Sequence, residues 1–398
     1  MNFFEPFADK PAIVVDIGQA YTKCGFAGEP APHAIIPTQV TLNSECQSLF
    51  TYKLLPHGLE TLKEMLIEFF YNIYYKILNA NSRERKVVIV ESILTASEFR
   101  HTLADVLFND FHAISVLCIP THLACTYTLG ISRAMVVDFG YNDCQLMPIS
   151  DGYSLTNLCS FAKLGAQHLH EHLKALIEKY AMVTLGGEKV LFSSLSSRPA
   201  LTESVLEDIK LKCCFVTSFD RAQKIYQEME LKKTDSFAGL EFEFAPDCDY
   251  NLDSLIMHIP GQVREMACEI FFKNEIDPDQ CLQHLILDTL SKAPMDLKRE
   301  FASNVVLAGG GCMLDGLKPR LVKEINFLLQ KCPSVFSAQK LSYHKSPSHE
   351  NYTAWLGAAI FGSLDVLDFY SIQNSRYKEL KKLPDWFTIE IRNNLVQI

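Results

Sequence analysis

Apolar residues follow two rhythms along this chain, short unbroken runs and stripes at helical spacing, and the two take turns. Ala12-Ile13-Val14-Val15 and Ala134-Met135-Val136-Val137 carry no polar break, which predicts buried strands. The segments Lys86 to Val90, Ser115 to Ile119 and Asn304 to Leu307 read the same way. Helical faces lie between them: Leu62, Leu66, Phe69, Ile73 and Ile77; Leu169, Leu173, Leu176 and Tyr180; Leu317, Leu321, Ile325 and Leu328. Further helices are predicted at 98–108, at 121–129 behind Pro120, and at 204–213, 260–273 and 280–291. Tyr352 to Leu364 is an apolar helix rich in small residues, suited to close packing of backbones. Leu240-Glu241-Phe242-Glu243-Phe244 alternates strictly and predicts a half-exposed hairpin strand, whereas 38–58 is polar and weakly patterned and Gly186-Gly187 with Ser193 to Pro199 make a loop-rich interval. Strand and helix alternate, so the fold class is α/β.

Length and charge narrow the picture. At 398 residues the chain is too long for one core and suggests two domains; 48% hydrophobic and 21% charged residues describe a globular protein. A formal net charge of −10 without a basic block argues against nucleic acid as a partner. Met1 to Glu5 lacks the look of a signal peptide and nowhere do eighteen apolar residues run together, so the expectation is cytosol or nucleus with no direct membrane insertion. Thirteen cysteines include no Cys-x-x-Cys pair and sit mostly in apolar segments, as reduced core residues do. His168, His170 and His172 do not share a helical face as a metal pair would, so zinc is not expected.

Both long apolar runs empty into the same phrase, Asp16-Ile17-Gly18 and Asp138-Phe139-Gly140, with Lys23 shortly after the first. Singly, either reads as a strand end. Repeated after matching strands, they suggest one β-unit used twice and a two-sided clamp, in which carboxylates hold a hydrated Mg²⁺ and backbone N–H groups hold phosphate oxygens. A third strand runs into Gly309-Gly310-Gly311, where a backbone can approach a flat or phosphorylated ligand, or turn tightly.

Val14-Val15-Asp16-x-Gly18, Lys23-x-Gly25-Phe26-Ala27-Gly28, Val137-Asp138-x-Gly140, Asp208-Ile209-Lys210, Leu307-Ala308-Gly309-Gly310 and Trp355-Leu356-Gly357, in that order, resemble the loops of the actin family over nearly the whole chain. The resemblance implies a two-lobed, ribonuclease-H-like α/β fold with a central nucleotide cleft. Residues 1–128 with 353–398 would form the small lobe and 129–352 the large one. ATP or ADP with Mg would be a structural ligand: Asp16 and Asp138 around Mg²⁺ through water, Gly18, Lys23 and Gly140 around the phosphates, and Lys210 with Gly309, Gly310, Gly311 and Met313 around the adenosine.

Departures from the family pattern carry the functional expectation. The first turn has Gln19-Ala20 for Ser-Gly, and the second has Tyr141-Asn142 for an acidic residue and glycine. Thr121 and Gln145 stand where the family positions its attacking water, Leu211 replaces the acidic ribose partner, and Leu314 replaces an aromatic residue. Hydrolysis is expected to be impaired or absent. The outer subdomain, at about 38–58, looks truncated, while Tyr127, Gly130, Ile360, Phe361, Leu364 and Val366 keep an apolar groove at the opposite end. The resemblance thus implies a non-catalytic cytoplasmic, cytoskeletal subunit. It would cap the pointed end of the actin-like filament of dynactin, beside filament protomers and other pointed-end subunits, and so support dynein-driven transport on microtubules. An active actin-like ATPase, or an actin-related subunit of a nuclear chromatin-remodelling complex, are the alternatives.

Overall fold

The structure, a computed structural model, describes residues 10–42, 44–55, 57–185, 187–232, 242–273, 280–331 and 340–383. Strand Ile13–Ile17 is apolar up to Val15 because both its faces are buried there, and Asp16 follows where it reaches its end. Ile13 and Val15 enter one core with Leu62, Phe69 and Phe108, while Val14 enters another with Trp355 and Val136. Strand Ala134–Phe139 repeats the arrangement, with Met135 and Val137 in a third core and Ala134 and Val136 in the one shared with Val14. Each strand anchors a sheet. The first has six strands in the order Ile372–Gln373, Ser115–Pro120, Val87–Glu91, Ile13–Ile17, Tyr21–Phe26, Ala34–Pro37. The second runs Tyr153–Ser154, Cys144–Ser150, Ala134–Phe139, Val305–Ala308, with Ser160–Ala162 also on Cys144–Ser150.

The two sheets share one plan. In each, the anchor strand pairs antiparallel with the strand that follows it and parallel with a neighbour from further along the chain. Asp16 lies opposite Lys23, and Asp138 lies opposite Gln145 at the same separation in sequence. The helices Thr121–Tyr127 and Thr353–Gly362 fill the space between the sheets. Their contact is so close that a Cβ on Gly357 would sit 1.7 Å from the Ala124 carbonyl oxygen. The buried Trp355 indole N–H donates to the Val14 carbonyl at 3.0 Å, fastening this helix to the first anchor strand.

Several expectations need correction. Leu240 and Glu241 lie outside the described residues, and Phe242 to Phe244 form no strand. Their alternation has another cause: Phe242 and Phe244 both pack on the cluster of Ile225, Met229 and Met266, and the Glu243 carbonyl accepts from Arg221. The hairpin lies just beyond, Cys248–Leu252 with Leu255–Ile259, in a four-stranded sheet with Met182–Leu185 and Glu188–Leu191. Glu188–Leu191 of this sheet falls between Gly187 and the loop-rich stretch from Ser193 to Pro199. Within 38–58, Gln39–Leu42 and Glu45–Ser48 pair as a two-stranded ribbon, followed by one 3-10 segment, Leu49–Leu54. Helices Phe219–Lys232 and Met295–Ser303 escape the pattern because their buried stripes are narrow; the second buries only Phe301 and Ala302. All twelve described cysteines are free, most of them buried, though Cys46 is exposed. Among the described residues no helix is long and apolar enough to cross a membrane.

Candidate functional site

The matched hairpins bring their Asp-x-Gly turns to opposite walls of a single cavity of about 730 Å³. Asp16, Gly18, Lys23, Asp138, Gly140, Lys210, Gly309, Gly310, Gly311 and Met313 all line it, so the residues singled out from the sequence converge. At its floor the Asp16 carboxylate lies 3.1 Å from Lys23 Nζ. Burial, and then the charge of Asp16, push the Asp138 carboxyl up to about 7, with Lys23 opposing. Two carboxylates therefore share one lysine, and a second cation would relieve the imbalance. Gly309 (φ +89°) fits because a Cβ there would strike the Phe139 carbonyl at 2.3 Å, which locks the third loop against the second turn. A Cβ on Gly310 would meet nothing within 4 Å, so backbone is open to an occupant there. Carboxylates in want of a cation, a lysine and an open glycine backbone fit a Mg-bound phosphate.

Positions where the family orients water are tied into the protein. The buried Gln145 accepts from Ser92 Oγ at 2.9 Å and donates its amide to Asp143 Oδ1 at 3.1 Å. Thr121 Oγ1 donates to the Glu91 carbonyl at 3.1 Å.

On the wall built by helix Glu203–Cys213, the structure adds residues that sequence reasoning passed over. Lys210 Nζ lies 2.5 Å from Glu207 Oε2, which also lies 3.1 Å from His170 Nε2. His170 Nδ1 contacts Glu203 Oε2 at 2.6 Å, and the Tyr141 hydroxyl donates to the same oxygen at 2.8 Å. Glu203, Glu207 and Lys210 recur at helical spacing, a signal the sequence did contain. Exposed Leu211 and half-exposed Met313 complete this wall. The cavity also extends outward to Ile35, Phe50, Tyr52, Leu94 and Phe99, with Phe50 and Phe99 stacked at 5.3 Å.

Away from the cavity, Tyr127 and Phe361 stack at 5.4 Å and Tyr370 meets Phe361 edge-on at 5.7 Å. Ile360, Leu364, Val366 and Phe369 are exposed next to them, Phe369 by 75%. Gly130 is exposed, with φ +62°, just after the helix that carries Tyr127. One expectation shifts: Phe361 is only 8% exposed, so it forms the floor of this patch and is not itself a free contact.

The family model described as Actin matches residues 7–382. Among curated proteins, Actin-related protein 10 of Dictyostelium discoideum is 26% identical over 440 aligned positions, covering 98% of this chain and 92% of that protein.

Proposed function

The chain belongs to the actin family, and from that premise we propose that it is a structural, non-catalytic subunit that ends an actin-like filament at its pointed end, as part of dynactin. The likeness to Actin-related protein 10 over nearly both whole chains supports this choice among family members. The observation that carries the proposal is an asymmetry between the two ends. At one end the patch of Ile360, Leu364, Val366 and Phe369 over a floor of Tyr127 and Phe361 offers apolar surface to a neighbour. At the other, the outer subdomain between Pro37 and helix Gly58–Tyr71 is reduced to a short ribbon and one turn. One end docks, and the other offers too little to the next protomer. Stable docking needs ~1,200–2,000 Å² of buried surface, so the patch would be the apolar centre of a larger contact. In this reading the described residues within 1–128 and 353–398 form the small lobe and those within 129–352 the large lobe.

The cleft would hold ATP or ADP with Mg as a structural ligand. Asp16 and Asp138 would hold the metal through water, with Gly18, Lys23 and Gly140 at the phosphates and Lys210 with Gly309 to Met313 at the nucleoside. When bound, the metal supplies positive charge between two facing carboxylates, so it favours a closed cleft. Gln145 and Thr121 are already engaged by Ser92, Asp143 and Glu91, which counts against their orienting a water for hydrolysis. Affinity purification of the tagged full-length protein from cells tests the proposal. Recovery with dynactin subunits is the expected result; recovery with chromatin-remodelling subunits instead would overturn it.

A further inference from the structure

Leu211, beside Lys210, is an exposed aliphatic side chain that offers no hydrogen bond to a sugar. One turn earlier on the same helix, Glu203–Cys213, another carboxylate reaches the cavity. Glu207 directs Oε2 to Lys210 Nζ at 2.5 Å and His170 Nε2 at 3.1 Å, which leaves Oε1 without a protein partner among the described residues. Burial by itself would raise its pKa, but the neighbouring His170 imidazole and Lys210 ammonium hold it down to about 2. At neutral pH it is an ionised, acceptor-only group. Its position is fixed in advance, since the buried His170 is itself held by Glu203, and Glu203 by the Tyr141 hydroxyl. Lys210, engaged by this carboxylate, is correspondingly less available to an anionic ligand.

We propose that Glu207 is the sugar-recognising residue of the cleft: through Oε1 it accepts from the ribose hydroxyls of a bound ribonucleotide, in place of the acidic group missing at Leu211. This inference rests on the nucleotide-binding reading given above. An ionised acceptor fixed before the ligand arrives discriminates against a sugar lacking the matching hydroxyl, because Oε1 is then left without a donor in the closed cleft. The same charge repels a 2′-phosphate, so a 2′-phosphorylated nucleotide would be excluded.

The test is calorimetric titration of the nucleotide-stripped full-length protein with Mg·ATP and with Mg·2′-deoxyATP, for wild type and E207A. Wild type is expected to prefer ATP by about tenfold or more, the worth of one hydrogen bond to an ionised acceptor. E207A is expected to bind both ligands with similar affinity. Where E207A fails to fold, E207Q carries the comparison, with the preference for ATP reduced because the acceptor is neutral. Equal wild-type affinities, or a preference unchanged in the variant that folds, would overturn the role of Glu207 and leave the nucleotide reading standing. Absence of binding by either ligand, with no shift in the melting temperature, would instead overturn the nucleotide reading itself.

Discussion

Asp138→Asn should make the ligand-free protein more stable, although Asp138 lies at the centre of the cleft. Burial beside Asp16 pushes the carboxyl up to about 7 in the folded protein, against an unfolded value of about 4. Between those values the folded state keeps a proton that the unfolded state has released, so stability declines as pH rises from about 4 to about 7 and stays low above that. At full strength the gap is worth about 4 kcal/mol. The side chain is only half-buried and faces an open cavity, so solvent screening brings the effect to about 2 kcal/mol. Asn has nearly the same shape and no charge to desolvate. Urea denaturation of both proteins without Mg or nucleotide, at about pH 5 and about pH 8, reads the difference. The expected result is a variant more stable than wild type at the higher pH, with the gap narrowing at the lower. Adding Mg·ATP should stabilise wild type more than the variant, because a cation next to an ionised carboxylate removes the penalty that Asn never had. A variant no more stable than wild type at the higher pH, or a flat wild-type profile across this range, would refute the assignment of Asp138 as a carboxylate in need of a cation.

Other perturbations separate docking from folding and binding from turnover. Leu364→Asp should abolish co-purification with filament subunits while leaving the thermal melt unchanged, because Leu364 is 49% exposed; Phe361→Asp should lower the melt as well, since it would bury a charge between Tyr127 and Tyr370. Arg320→Ala should destabilise the protein by about 3–5 kcal/mol in denaturant titration, because this buried guanidinium holds Glu269 at 3.0 Å, Glu324 at 2.8 Å and the Thr217 carbonyl at 2.7 Å. A loss within about 0.5 kcal/mol would show the network to be dispensable. Phosphate release from the purified protein with Mg·ATP should stay far below that of polymerising actin, and equal rates would refute the reading of Thr121 and Gln145.

The sequence disclosed whatever was both local and repeated. Ala12 to Val15 and Ala134 to Val137 stood out because both faces of their strands are covered, so no polar residue interrupts them. The turns that follow inherit their position from those strands, as Gly309 does from Val305–Ala308, which is why Asp16, Asp138 and Gly309 were found and why they meet in one cavity. The contact of Glu207 with His170 was not found, because it depends on how helix Ala166–Tyr180 lies against helix Glu203–Cys213, and no local pattern encodes that packing. Phe361 was recognised as part of an apolar patch but not as its floor, since depth depends on Tyr127 and Tyr370 arriving from elsewhere in the chain. Phe242 and Phe244 misled for a related reason: two aromatic side chains reaching one apolar cluster produce the same alternation as a strand.

Placement at the pointed end is the claim on which the rest depends, and electron microscopy of reconstituted complexes carrying a bulky label on this subunit measures it directly. A single label at the pointed end of each filament, with nothing beyond it in the actin-like row, is the expected image. A label at the barbed end or at internal positions would contradict the capping role, even with the fold and the cleft unchanged.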